Sequence, residues 1–294
     1  MGCIVSTIAF PVPEVVDHLR EELMRRPGFF FLESEDGTAI AALHIRTGSR
    51  KVILFSHGNC EDLSSMLPGL ESMARLCDAD IFAYDYYGYG LSEGTASEHG
   101  CYAAIEAAYD YLIDLEHPYD VLVPVGESIG SGPTVYLAHE REEVQGIALL
   151  MPFLSAIKTL QGCGNALSKT CYCFDMFRNY QRINQLNCPV LVMHGTQDSV
   201  VPFEHGLALH NSCRRPAEPL WISGCDHHDM PWEVCMARLA SFLEEVADAK
   251  SSSKGSSTVE EASEGRVRGE NSRDLMATSG SNRSIRNALL GKKK

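Results

Sequence analysis

Apolar runs of strand length recur along this chain, each closed by a turn rich in glycine and polar residues, and most lead into a stretch of helical periodicity. Residues 15–26 read as a short helix. Residues 29–32 and 39–45 read as two strands separated by Glu35, Asp36 and Gly37, an antiparallel hairpin. Residues 52–55 form a buried-strand run that ends in Ser56-His57-Gly58-Asn59, with a helix over 62–76. The run 81–84 closes in the turn from Asp85 to Gly90 and precedes an alanine-rich amphipathic helix over 97–115. The run 121–125 enters Gly126-Glu127-Ser128-Ile129-Gly130 and a helix over 133–139, and further runs stand at 146–150, 189–193 and 220–222. Strands that alternate with helices predict an α/β chain with a mostly parallel central sheet and helices on both faces.

Two stretches depart from this pattern. Between Pro152 and Cys188 there is no clear strand, and Phe153, Leu154, Tyr172, Phe174, Met176 and Phe177 cluster there with Cys171. A small cap insertion over the active-site edge is expected, with Phe153, Leu154, Tyr172, Phe174 and Met176 as candidates to line an acyl groove; packing of the same side chains into the core is the competing reading. From about Ala249 the composition turns to serine, glycine and charge, with ten Lys and Arg against five acids by count over 249–294. That predicts a disordered basic C-terminal tail. At the other end, Met1-Gly2-Cys3-Ile4-Val5-Ser6 fits the N-myristoylation pattern on Gly2, and Cys3 is a palmitoylation candidate. Two acyl chains hold a protein to a bilayer far better than one. The organisation expected is an acylated anchor over 1–14, one catalytic-size domain over 15–248 and the tail over 249–294.

Composition narrows the function. The net charge of -14 over 294 residues argues against a nucleic-acid partner, because phosphate neutralisation needs clustered Lys and Arg. Eleven scattered cysteines without a CxxC pair fit a reducing compartment. No apolar run reaches the length of a membrane span, and the start lacks a secretory signal pattern, so attachment is expected to be peripheral, through the acylated end, at a cytoplasmic membrane face.

The candidate chemistry centres on Ser128. A serine at a sharp strand-to-helix turn, with glycines two before and two after it, presents an exposed Oγ. That hydroxyl needs a base, and the base a partner that holds its tautomer. In the chain order Ser, acid, His that accompanies such a turn, the acid falls on Asp198 after the 189–193 strand. The base falls on His227 after the 220–222 strand, with His228 as the alternative. His194 reads as a structural hydrogen-bonding residue. The oxyanion formed at a carbonyl requires two backbone N–H donors. Ile129 supplies one, and Asn59, with Cys60 as the fallback, supplies the other. The run Asp226-His227-His228-Asp229 resembles a metal cluster, but neighbours on one loop cannot all face one ion, so no metal or cofactor is expected.

Ser56-His57-Gly58-Asn59, Asp85 to Gly90, Gly126 to Gly130, Thr170 to Asp175 and His194-Gly195-Thr196-Gln197-Asp198 together resemble family seventeen of the α/β-hydrolase-domain proteins. The match runs from about Phe30 to Leu243. These are membrane-anchored serine hydrolases that remove palmitate from protein cysteines. The resemblance implies an α/β-hydrolase fold, a nucleophile at Ser128, an acid at Asp198, a base at His227 and S-acylated membrane proteins as substrates. Two departures stand out: a single Cys3 beside a myristoylation pattern where the family carries several N-terminal cysteines, and Glu127 where glutamine is expected. A carboxylesterase or monoacylglycerol lipase on free lipids is the alternative within the fold. A non-catalytic membrane-tethered binding protein is the alternative outside it.

Overall fold

The computed structural model describes residues 10–14, 16–162 and 175–267. The described residues up to Ser251 form one compact unit, built on an eight-stranded sheet. Its strands are β1 (Phe29–Glu33), β2 (Ala39–Ile45), β3 (Lys51–Ser56), β4 (Asp80–Tyr84), β5 (Val121–Glu127), β6 (Ile147–Leu150), β7 (Val190–Gly195) and β8 (Leu220–Ile222). They are ordered β1-β2-β4-β3-β5-β6-β7-β8. The expected hairpin pairs β1 with β2, and β2 meets β4 antiparallel; every later pairing is parallel. The helices are α1 (Asp17–Met24), α2 (Leu63–Cys77), α3 (Glu98–Ile113), α4 (Ser131–Glu140), α5 (Ala156–Gly162), α6 (Asn179–Arg182), α7 (Phe203–Ser212) and α8 (Trp232–Val267).

The parallel strands read as continuous apolar runs because both their faces are covered. On β3, Val52 and Leu54 enter the core layer that holds Tyr109 and Leu137 of α3 and α4. Ile53 and Phe55 enter the opposite layer, with Leu67 of α2 and Phe242 of α8. Helix starts follow capping rules. The Asp62 carboxylate accepts from the Ser65 amide at 2.8 Å while the Ser65 hydroxyl accepts from the Asp62 amide at 3.1 Å, and Ser97 caps α3 by accepting from the Gly100 amide at 3.0 Å.

Two expectations change. The described part of region 152–188 contains α5, α6 and the 3-10 turn Ile183–Gln185, with residues 163–174 outside it. Phe153 is a core residue at 6% exposure, its ring edge-on to Phe177, as the core-packing reading has it; Leu154 and Met176 are half-buried beside it. Tyr172 and Phe174 lie outside the described residues, as do Gly2 and Cys3. The second change is at the C-terminal end. The expected disordered tail from 249 is helical as far as Val267, because elongating a helix that has already started at Trp232 needs no new nucleus, even through serine-rich sequence. Residues 268–294 lie outside the described part. Among the described residues no helix is long and apolar enough to cross a membrane.

Candidate active site

Ser128 sits where β5 ends and a 3-10 turn, Ser128–Gly130, feeds α4. Its φ is 51°, in the left-handed region that non-glycine residues seldom adopt, at a cost of about 1–3 kcal/mol. The two flanking glycines make that turn possible. A Cβ on Gly126 would stand 2.3 Å from the Gly130 carbonyl oxygen, and a Cβ on Gly130 would stand 2.1 Å from that of Ser56. The Ser131 hydroxyl donates to the Ser128 carbonyl at 2.7 Å and closes the first turn of α4.

Ser128, His227 and Asp198 form one hydrogen-bonded chain although 99 and 29 positions separate the partners. His227 Nδ1 lies 2.7 Å from Asp198 Oδ2, and His227 Nε2 lies 3.1 Å from Ser128 Oγ. With the Nδ1 proton given to the carboxylate, Nε2 is left as an acceptor aimed at the hydroxyl. His228, the alternative base, is exposed and packs edge-on to His227 rather than facing Ser128.

The acid is fixed on every side. Asp198 Oδ1 accepts from the Val200 and Val201 amides at 2.9 and 2.7 Å. His194 Nε2 lies 3.1 Å from Oδ2 and 2.9 Å from the Val201 carbonyl, so Asp198 is held between two imidazoles. Burial pushes the Asp198 carboxyl up, but bonds from His194, His227 and the Val201 amide outweigh it and hold the group well below the usual carboxylate range. His194 is therefore structural, as expected, but its partner is the acid of the site. Gly206 packs against it, so that a Cβ there would meet His194 Nδ1 at 2.3 Å.

Asp226 supplies a link that the sequence did not reveal. Its Oδ1 accepts from the Ser199 amide at 2.7 Å, the Ser199 hydroxyl at 2.8 Å and the His227 amide at 2.7 Å, which ties the acid loop to the base loop. Bonds from the Ser199 and His227 amides hold its carboxyl below the ordinary range.

The turn after β3 is assembled from the tyrosine-rich turn after β4. Tyr86 donates to the His57 carbonyl at 2.7 Å and its ring lies 4.2 Å from the imidazole; Tyr89 donates to Asn59 Oδ1 at 2.7 Å. Asp85, fully buried, accepts from the Leu63 amide at 2.8 Å and is pushed up to about 7 by its burial. The His57 imidazole donates from Nδ1 to the Gly58 carbonyl at 2.8 Å and is held neutral by burial, which lowers it to about 4. Asn59 thus stands on a braced turn at the end of β3, and Ile129, buried, follows Ser128 directly. The sequence offered Asp85 to Gly90 only as a turn; the signal for its role was its three tyrosines at a strand end. Among the described residues no group of His, Cys, Asp and Glu side chains is placed to hold a metal ion.

Residues 47–172 match the family described as Hydrolase_4, serine aminopeptidase, S33. Alpha/beta hydrolase domain-containing protein 17C of Xenopus tropicalis is 37% identical over 221 residues, covering 73% of this chain and 69% of the relative. Alpha/beta hydrolase domain-containing protein 17B of Homo sapiens is 37% identical over 219 residues, covering 73% and 74%. Among solved structures, the Pyrococcus furiosus esterase Pf2001 superposes with a TM-score of 0.65 at 18% identity over 80% of this chain and 98% of that one. Est1E from Butyrivibrio proteoclasticus, with ferulic acid bound, gives a TM-score of 0.60 at 20% identity over 74% and 98%. At those identities the two structures share the fold.

Proposed function

This chain belongs to the alpha/beta hydrolase domain-containing protein 17 family, within the serine hydrolases, and on that premise we propose that it removes long-chain acyl groups from S-acylated cysteines of membrane proteins. The observation that carries the reading is the unbroken bond chain from Asp198 through His227 to an elbow serine. The thioester is the substrate class that the motif resemblance implies.

Ser128 Oγ attacks the acyl carbonyl as His227 Nε2 takes its proton, and Asp198 stabilises the imidazolium that forms. The oxyanion is met by the backbone N–H groups of Ile129 and Asn59; loss of one such donor costs roughly 100- to 1,000-fold in rate. Collapse breaks the C–S bond, the cysteine thiolate takes the proton from His227, and the acyl group stays on Ser128. Water, deprotonated by the same imidazole, then releases the fatty acid. Leu154 and Met176, half-buried at the carboxyl end of the sheet, flank the path of the acyl chain. Acylation at Gly2 and Cys3 places the enzyme on the cytoplasmic membrane face where such substrates lie.

Turnover of an S-palmitoylated peptide measured beside that of a monoacylglycerol tests the substrate class. Higher kcat/KM on the peptide is expected. Preference for the free lipid would make the protein a lipase of the same fold, and turnover of neither would leave a binding protein on a hydrolase scaffold.

A further inference from the structure

Glu127 immediately precedes Ser128, and the reaction just described makes no use of it. On β5 the odd-numbered side chains Val121, Val123 and Val125 enter the layer of α2 and α8, so Glu127 points to that side, beneath the triad. Glu61 comes to the same place from the turn before α2. Its Oε2 accepts from the Gly58 amide at 2.9 Å. The two carboxyls converge on Gly58, where a Cβ would stand 2.8 Å from Glu61 Oε2 and 3.9 Å from Glu127 Oε1. Both side chains are only partly accessible.

The ionisable groups that face this pair come from each neighbouring element. They are Asp62 at the start of α2, with Asp85 of the β4 turn acting on it, Tyr86 of the same turn, His227 and His228 of the base loop, and Cys235 of α8. None is a lysine or an arginine. Two carboxylates that converge in this way repel, which disfavours the state in which both are charged. Burial and the Glu61 carboxylate together push Glu127 up to about 8. Burial, with Asp62 beside it, raises Glu61 above the ordinary range as well, but the Gly58 amide, His228 and His227 oppose that rise. Glu61 is the better-supported anion, and the proton belongs on Glu127.

We propose that Glu127 and Glu61 are a positioning pair sharing one proton beneath the triad, in which carboxylate Glu61 holds the Gly58 amide, and so the turn that presents Asn59, until loss of that proton shuts turnover down at alkaline pH. The departing proton goes to solvent. The second negative charge acts twice: it forces the carboxyls apart, which frees the Gly58 amide, and it opposes the oxyanion forming beside Ser128. The inference rests on the serine-hydrolase reading above but not on the thioester substrate.

The test is the pH profile of kcat and KM for hydrolysis of p-nitrophenyl butyrate by the purified full chain, together with infrared detection of a protonated carboxyl. For the unmodified protein, kcat falls about tenfold through an ionisation near pH 8 with little change in KM, and a carboxyl C=O band titrates with the same midpoint. In Glu127→Gln the alkaline fall and the band both disappear, and in Glu61→Gln, where burial still raises Glu127 but the repelling carboxylate is gone, the fall moves to lower pH. Glu61→Leu, which cannot accept from Gly58, lowers kcat about tenfold at every pH, whereas Glu61→Gln retains the acceptor and is spared. An alkaline limb unmoved in both Gln variants, or no protonated carboxyl in the unmodified protein near pH 7, overturns the proposal. Rejection of S-acyl peptides with butyrate ester still turned over would count against the substrate class alone and leave this result readable.

Discussion

A carboxyl buried without a cation ties the stability of a protein to pH, and among the described residues Asp85 and Glu127 are such groups, both raised chiefly by burial. In the unfolded chain each ionises in the ordinary carboxylate range; in the folded chain Asp85 keeps its proton to about 7 and Glu127 to about 8. Stability from such groups is complete below the unfolded value and is lost as pH rises through the folded one. Asp198 runs the other way. Held low in the fold, it contributes above the ordinary carboxylate range and is lost as pH falls through its depressed value. The stability that Asp85 and Glu127 contribute is therefore expected to fall steadily as pH rises from about 4 to about 8. Glu127→Gln should flatten that fall; an unchanged slope in the variant would contradict the burial argument. Asp226 makes a separate prediction at this scale. Asp226→Ala removes the bonds that join Ser199 to the His227 amide, and is expected to lower kcat about tenfold or more while the fold survives, because the base loses its register against Ser128.

The elbow and the loops at the carboxyl edge of the sheet decide whether these residues meet. Gly130→Ala would drive a methyl into the Ser56 carbonyl and is expected to destabilise the protein by about 2–4 kcal/mol, measurable by urea unfolding. Gly206→Ala would instead press on His194 and through it on Asp198, so its expected signature is a fall in kcat larger than its fall in stability. The strands were legible in the sequence because a strand buried on both faces is an uninterrupted apolar run, and Val52 to Phe55 and Val190 to Met193 are such runs. Ser128, Asp198 and His227 were legible because each follows a strand at a turn, in an order that the elbow chemistry dictates. The braces were not. Tyr89 reaches Asn59 across 30 positions and Asp226 reaches Ser199 across 27, and neither residue type signals such a contact until the loops converge. Phe153 left two readings open for a related reason: an aromatic beside a cap reads the same whether it lines a groove or fills the core under Phe177.

At the scale of the molecule, the N-terminal segment ties the proposed lipid anchor to the catalytic edge. Phe10 is buried with its ring edge-on to Phe177 at 6.0 Å, and Phe177 packs against Gly132 in α4, the helix that the Ser128 turn feeds. Phe10 stands eight positions from Gly2, at most about 28 Å of extended chain, so an acylated end would keep the active-site face close to the bilayer. Gly2→Ala is expected to move most of the protein from the membrane to the soluble fraction, and Cys3→Ala to do so less completely; membrane retention of the Gly2 variant would refute the myristoyl anchor. The central claim is that His227 and Asp198 make Ser128 a nucleophile. Labelling of the purified full chain by a fluorophosphonate probe, with the modified residue located by mass spectrometry, tests it most directly. The predicted result is a single adduct on Ser128 that is lost in Ser128→Ala and strongly slowed in His227→Ala. A folded protein that fails to label, or that labels elsewhere, would contradict it.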